Sequence, residues 1–549
     1  MPNYEDNIKK YYSKCVVVLK RPKRVSVKVI TKPIGLLILL LVQLNIGQAA
    51  QAKWADASSL LIAQQSSQTD TPPLCPAELD TAIESVTNRP EFSKERWGIL
   101  IQTASADTLY SQDAQKYFIP ASNVKILTTA AILQLGSQFR IRTSVYSTRD
   151  GGLRVVGRGD PSLTDAGLIQ LTQQLKQRGI RQVSRLIADS NYFRGATVNP
   201  SWEWSDIHTD YGAPINSLIL NQNAIKLTLF PQQKSQPLLV NWSEPIEAKQ
   251  WQISNETITT ESAESGGGFK DGVPPSTPQL FKTAESTAIN VSRESKNPIL
   301  KITGQLNIDS KPESISLAVV DPVEHFLRHF RQALANKGII QDNSIAYTSV
   351  INKQDISLVL NELAVVESPP LSELLKETNQ NSNNLYAEAL LQVLGARRGK
   401  LTAPTYTTLE MGLGVVKATL TQMSVDPSGY VLVDGSGLSR HNLVTPEAIA
   451  QTLRAMIKSP EYSFYRASLA VAGISGTLQN RFRNTPAQGI VQAKTGTMTG
   501  VVALSGYINP PSYQPLVFSI IVNQSDRSAA TLRQAVDDIV LLMTRLRRC

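Results

Sequence analysis

One stretch constrains this chain more than any other: Pro120-Ala121-Ser122-Asn123-Val124-Lys125-Ile126-Leu127, its only Ser-x-x-Lys. An apolar run follows through Ala130, Ala131, Ile132 and Leu135, with Pro120 before it and Gly136 after it as helix boundary signals. Positions three apart share a helix face, so the Ser122 hydroxyl and the Lys125 amine meet at the first turn. A serine is a poor nucleophile until a base takes its proton. A lysine becomes that base when burial and neighbouring charge depress its pKa. The helix N-terminus also offers N–H groups to a developing anion. Taken alone, the commoner reading is a serine N-cap with a solvated lysine one turn on.

At 549 residues, 42% hydrophobic and 18% charged, the chain has room for two to four globular domains. Its formal charge of +10 is unevenly placed. Residues 1–33 hold nine Lys/Arg against Glu5 and Asp6, a net +7 that leaves only +3 for the rest. A nucleic-acid partner is therefore not implied by the charge. The basic stretch leads into the apolar Ile34–Val42 and then Ala50-Gln51-Ala52, the plan of a secretory signal over 1–52. The apolar run is short for a membrane span, but the basic region is long, so an uncleaved anchor attaching the protein to the membrane is the alternative. Either way the body is expected outside the cytoplasm, in the periplasm or its equivalent. Cleavage would remove Cys15 and leave Cys75 and Cys549. An oxidising compartment permits a disulfide between them; two free thiols are the other reading.

Residues 53–74 read as a polar linker. Helical patterns follow at 76–86, 166–178, 322–337 and 528–547, and strand patterns at 97–101, 108–110, 186–189, 300–303, 315–320, 501–508 and 516–523. Val145 to Val156 reads as a hairpin turning at Asp150-Gly151-Gly152. The polar stretch 254–280, with Gly266-Gly267-Gly268 and Pro274-Pro275, reads as a loop or flexible insertion.

Two more stretches bear on Ser122. Ser382-Asn383-Asn384 opens an apolar helix; its hydroxyl can relay a proton, and the Asn384 amide offers a donor and an acceptor to a peptide bond. Its plain reading is a helix cap. At Lys494-Thr495-Gly496-Thr497 a strand ends in a cation, two hydroxyls and a glycine, an edge able to take a substrate carboxylate and backbone. The plain reading there is a strand end.

In this order and context the three motifs resemble those of penicillin-binding proteins and serine β-lactamases. Asn383 stands where the Ser-Asp-Asn form has Asp. The wide gap between Ser122 and Ser382 is similar to that of the D-alanyl-D-alanine carboxypeptidase/endopeptidase family of low-molecular-mass penicillin-binding proteins, which carry large inserted domains there. Gly159-Asp160-Pro161, Tyr211-Gly212-Ala213-Pro214, Asp434-Gly435-Ser436-Gly437 and Gly473-Ile474-Ser475-Gly476 resemble it too. The resemblance spans about 75–549 and does not account for the polar stretch.

It implies an α/β fold: a β-lactamase/transpeptidase-like domain, an antiparallel sheet flanked by helices, built from 75–145 and 350–549. A large, mostly β insertion at 146–349, itself divided, separates the two segments. It implies Ser122 as nucleophile, Lys125 as general base, Ser382 as proton relay and Lys494 as electrostatic partner. Asn384, Thr495, Gly496 and Thr497 would bind substrate, and the backbone N–H groups of Ser122 and Thr497 would form the oxyanion hole. The two lysines are expected to depress each other's pKa. The implied substrate is a peptidoglycan stem peptide, cut at D-Ala–D-Ala or at a D-Ala–diaminoacyl crosslink. β-Lactams would be covalent inhibitors, and no metal or organic cofactor is needed. Rival readings are a β-lactamase or esterase of the same fold, and an inactive cell-wall-binding protein. His325 and His329 sit i, i+4 on a helix, but no H-E-x-x-H surrounds them, and they read as helix-surface histidines.

Overall fold

The computed structural model describes residues 72–261, 289–293, 299–341, 359–399 and 405–549. The signal reading, nearly all of the linker and residues 262–280 of the polar stretch lie outside them. The central feature is a six-stranded antiparallel sheet. Its order is Ala470–Val471, Val491–Met498, Val501–Ile508, Leu516–Asn523, Arg96–Thr103 and Thr108–Gln112. Side chains alternate between its faces. Val502, Leu504, Phe518, Ile520, Trp97 and Ile99 face the helices Leu79–Thr87 and Ala529–Thr544. Ala503, Tyr507, Val517, Ile521 and Leu100 join the core of the opposite face, built on Val124–Ile132, Asn384–Arg398, Thr408–Gln422 and Pro446–Ile457. Cover on both faces explains why Val501–Ile508 and Leu516–Asn523 are buried throughout and read as unbroken apolar runs.

The helix Val124–Ile132 is buried at every position, Lys125 included. It tightens into a 3-10 turn, Leu133–Leu135, and stops at Gly136, whose φ of +88° only glycine adopts at little cost. Elsewhere in the domain the segment at Leu74 and Cys75 meets the last residues of the chain. Leu74 and Leu546 bridge, Leu74 N donates to the Arg545 carbonyl at 2.9 Å, and Cys75 is disulfide-bonded to Cys549.

Between the catalytic motifs lie two further cores. One sheet, ordered Val359–Glu367, Arg142–Thr148, Leu153–Val156, Leu186–Asp189, packs with the helices Asp165–Gln177 and Pro322–Asn336. Arg142–Thr148 crosses residue 145 and pairs with Val359–Glu367, so this sheet draws strands from both sides of the boundary placed there. The second core is all β: Glu313–Ala318, Ala224–Phe230 and Leu239–Trp242 form one three-stranded sheet, and Asn290–Arg293, Ile299–Asn307 and Gln252–Thr260 another.

Two sequence expectations are corrected here. Gln252–Thr260 is a strand running parallel to Ile299–Asn307, not the start of a loop. Its inward positions include Thr257 and Thr259, whose hydroxyls accept from the backbone N–H groups of Leu238 (2.8 Å) and Gln232 (3.0 Å). Hydroxyls in place of apolar side chains hid the alternation, although β-branched Thr suits a strand. His325 and His329 are not surface residues: they are 0% and 7% exposed. Acidic partners from distant segments cover them.

Candidate active site

Ser122 is presented by a tight turn. Ala121 takes a left-handed conformation at φ +47°, and Ala121–Asn123 forms a 3-10 turn entering Val124–Ile132. Two glycines make room for it. A Cβ on Gly437 would lie 2.0 Å from the Ala121 carbonyl oxygen, and one on Gly496 would lie 2.8 Å from that of Pro120 and 3.0 Å from the Asn123 amide nitrogen. The bareness of Gly496 thus also serves the chain itself. The nucleophile turn itself occupies that space. Asn123 Nδ2 donates to the Lys494 carbonyl at 3.3 Å and ties the turn to the strand Val491–Met498.

The three motifs converge. Lys125 Nζ is 3.0 Å from Ser122 Oγ and donates to Asn384 Oδ1 and the Ser436 carbonyl, each at 2.7 Å. An amine keeps two protons for those acceptors and turns its lone pair to the Ser122 hydroxyl, which an ammonium cannot do. Lys125 is fully buried, and burial pulls its pKa down to about 7 although the Asp434 and Glu388 carboxyls act against it. Lys494 Nζ donates to Ser382 Oγ and to the Thr495 carbonyl, each at 2.8 Å. Burial first, and the Lys125 charge second, hold Lys494 well below the ordinary lysine range. The expected mutual depression therefore runs one way, because burial lowers Lys125.

Each part of Ser382-Asn383-Asn384 has its own task. Asn383 caps the helix Asn384–Arg398, its side-chain oxygen accepting from Tyr386 N at 3.2 Å. Ser382, at φ +59°, is turned to Lys494. Asn384 bridges Lys125 and, through Nδ2, the Tyr211 carbonyl at 3.1 Å, so a loop between the first two motifs forms part of the wall. The Thr495 hydroxyl donates to Thr477 Oγ1 at 2.8 Å, and Thr497 is exposed at the strand edge.

A buried support under Lys125 was not legible as such. Glu388 Oε1 accepts from the N–H groups of Gly435 (2.9 Å) and Ser436 (2.8 Å), fixing the carbonyl that receives Lys125. Burial, then the Asp434 charge, pushes the Glu388 carboxyl well above its usual range. Asp434 accepts from Gly437 N (2.8 Å), Ser439 N (2.7 Å), Asn442 Nδ2 (2.8 Å) and Trp202 Nε1 (3.1 Å). The available signal was spacing: Glu388 is one helical turn, i+4, from Asn384.

Comparison with known proteins follows this geometry. The model of the D-Ala-D-Ala carboxypeptidase 3 (S13) family matches residues 79–546. The chain is 30% identical to the D-alanyl-D-alanine carboxypeptidase of Actinomadura sp. (strain R39), covering 81% of each chain. It is 29% identical to the penicillin-sensitive carboxypeptidase A of Dictyostelium discoideum, covering 82% of this chain and 87% of that one. Its fold is that of penicillin-binding protein 4 (dacB) from Haemophilus influenzae, with TM-score 0.69 and 23% identity over 84% of this chain and 99% of the other. Motif order, converging geometry and a match over most of its length agree that this chain belongs to the D-Ala-D-Ala carboxypeptidase 3 (S13) family of serine peptidases.

Proposed function

We propose that the chain cleaves the terminal D-Ala–D-Ala bond, or the equivalent D-Ala crosslink, of peptidoglycan stem peptides through an acyl-Ser122 intermediate. The observation that carries this is a fully buried Lys125 amine 3.0 Å from Ser122 Oγ, with a pKa near 7. Ser122 Oγ attacks the D-Ala carbonyl carbon, and its proton passes to Lys125 Nζ. The Ser122 and Thr497 N–H groups hold the developing oxyanion; losing such a donor typically costs about 3–4 kcal/mol of transition-state stabilisation. When the C–N bond breaks, the leaving amine takes a proton through Ser382, which Lys494 holds. Water then releases the acid and restores Ser122. Asn384 grips the substrate amide; Thr495 and Thr497 receive its terminal carboxylate, with Gly496 between them in the same strand.

β-Lactams acylate the same serine, and the penicillin sensitivity in the Dictyostelium relative's name supports this. Fast hydrolysis of that adduct has no evident base, since Glu388 is sealed beneath Lys125 with Oε1 committed to two N–H donors. The N-terminal basic and apolar segments direct export, which places the enzyme beside the cell wall. Among the described residues no helix is long and apolar enough to cross a membrane. Intact-mass spectrometry with benzylpenicillin is the test. We expect a stable adduct on the wild type, none on Ser122→Ala, and shortened stem peptides in muropeptide digests. Rapid penicillin hydrolysis without an adduct would make it a β-lactamase; neither adduct nor hydrolysis would make it a binding protein.

A further inference from the structure

A second cluster of chemically able side chains lies far along the chain from the motifs, where the two inserted cores meet. The helix Pro322–Asn336 carries His325 and His329 one turn apart, with ring centroids 4.5 Å apart. The segment Glu244–Ala248, leaving the strand Leu239–Trp242 of the all-β part, brings Glu244 and Glu247 against them. Asp165 arrives from the start of the helix Asp165–Gln177. One donor atom from each of Glu244, His325 and His329 lies within 4.8 Å of the other two.

The polar accounting inside this cluster does not close. His329 Nδ1 is 2.7 Å from Asp165 Oδ1, and His325 Nδ1 is 3.1 Å from Glu247 Oε1. Glu247 is held further by Arg328 Nε (3.2 Å) and Nη2 (3.1 Å). A carboxylate on one ring nitrogen fixes the tautomer and leaves the other nitrogen as a ligand, an arrangement repeated around protein-bound metals. Here that other nitrogen, Nε2, is buried without a hydrogen-bond partner in both histidines, as is Glu244 Oε2. His329 Nε2 faces Glu244 Oε2 at 3.2 Å and Glu247 Oε1 at 3.4 Å, both within ion-pair range but out of hydrogen-bond geometry. Buried polar atoms left unsatisfied are destabilising, so a ligand between them is favoured.

Charge points the same way. Three carboxylates, Asp165, Glu244 and Glu247, stand with the Arg328 guanidinium, and the remaining negative charge falls to the imidazoles or to a cation between them.

We propose that Glu244, His325 and His329 form a binding site for a divalent cation of the zinc class, which pins the all-β part of the insertion to its α/β part. Two imidazoles and a carboxylate suit zinc or its first-row neighbours, not magnesium or calcium. Glu244 itself is only partly buried. This differs from the sequence reading, which places no metal in the chain, because ligands from 244, 325 and 329 form no motif.

The test is a titration of EDTA-treated, tag-free full-length protein with ZnCl2, followed by Co2+ as a spectroscopic probe. We expect one site, a visible cobalt ligand-field band, and an affinity loss of about tenfold or more in Glu244→Gln and in His329→Gln. Acylation of Ser122 by benzylpenicillin checks that each variant is folded, since neither residue belongs to the catalytic cleft. Unchanged zinc affinity in both folded variants would overturn the proposal. So would a wild type that binds neither ion, which would identify the cluster as a metal-free imidazolium–carboxylate contact.

Discussion

At the scale of single residues the proposed mechanism depends on the depressed pKa of Lys125. In its proposed role Lys125 acts as base only as the free amine, and the fraction of that form rises as pH climbs through about 7. The second-order rate of benzylpenicillin acylation is therefore expected to fall as pH drops below 7 and to level off above it. A rate independent of pH between 5 and 9 would remove Lys125 from that role. Lys125→Arg keeps a permanent cation and is expected to lose roughly 10²–10⁴-fold. Two glycines give a paired prediction. Gly437→Ala would push a Cβ to 2.0 Å from the Ala121 carbonyl at φ +83°, so about 1–3 kcal/mol of stability should go, with slower acylation. Gly414, inside the helix Thr408–Gln422, has nothing within 4 Å of its would-be Cβ, and Gly414→Ala should gain up to about 1 kcal/mol. Thermal unfolding and acylation rates read both.

At the scale of elements the motifs were legible because each is short and local. A three-residue spacing at a helix start needs no knowledge of the rest of the chain to place Ser122 beside Lys125. The supports were not, because nothing local marks Glu388 or Asp434 as buried, and Glu388 finds its partners, Gly435 and Ser436, in a segment far along the chain. The strand Gln252–Thr260 escaped for a related reason: its inward threonines satisfy neighbouring backbone, which hydropathy alternation cannot register. Asn383 shows how one element prepares the site. Its side chain caps the helix and also donates to Gln222 Oε1 (2.7 Å) and Glu377 Oε1 (3.0 Å). Asn383→Ala should cost about 0.5–2 kcal/mol of stability and slow acylation without abolishing it, since Ser382 and Asn384 remain. An acylation rate equal to wild type would show that the cap does not align them.

At the scale of the whole molecule the sheet of the catalytic domain was legible in its apolar strands. The division of the insertion into an α/β and an all-β part was not legible in detail, because its strands pair across long gaps in sequence. The Cys75–Cys549 bond ties the ends of the described domain. Reduction, or Cys549→Ser, is expected to lower stability by about 2–4 kcal/mol while leaving acylation at 25 °C intact. Alkylation of both cysteines without prior reduction would contradict this.

The position of the strand Arg96–Thr103 reaches beyond the finished structure. It is interior to the sheet, yet Trp97 pairs with Val522, almost at the far end of the chain. A ribosome delivers these partners in sequence, so the apolar strand and the helix bearing Ser122 emerge long before the surfaces that cover them exist. The inserted parts can close on nearer partners first, while the catalytic half waits with its sticky faces unmatched. During synthesis the enzyme is therefore inert until its last strands arrive, and that interval is when a chaperone has the most to shield.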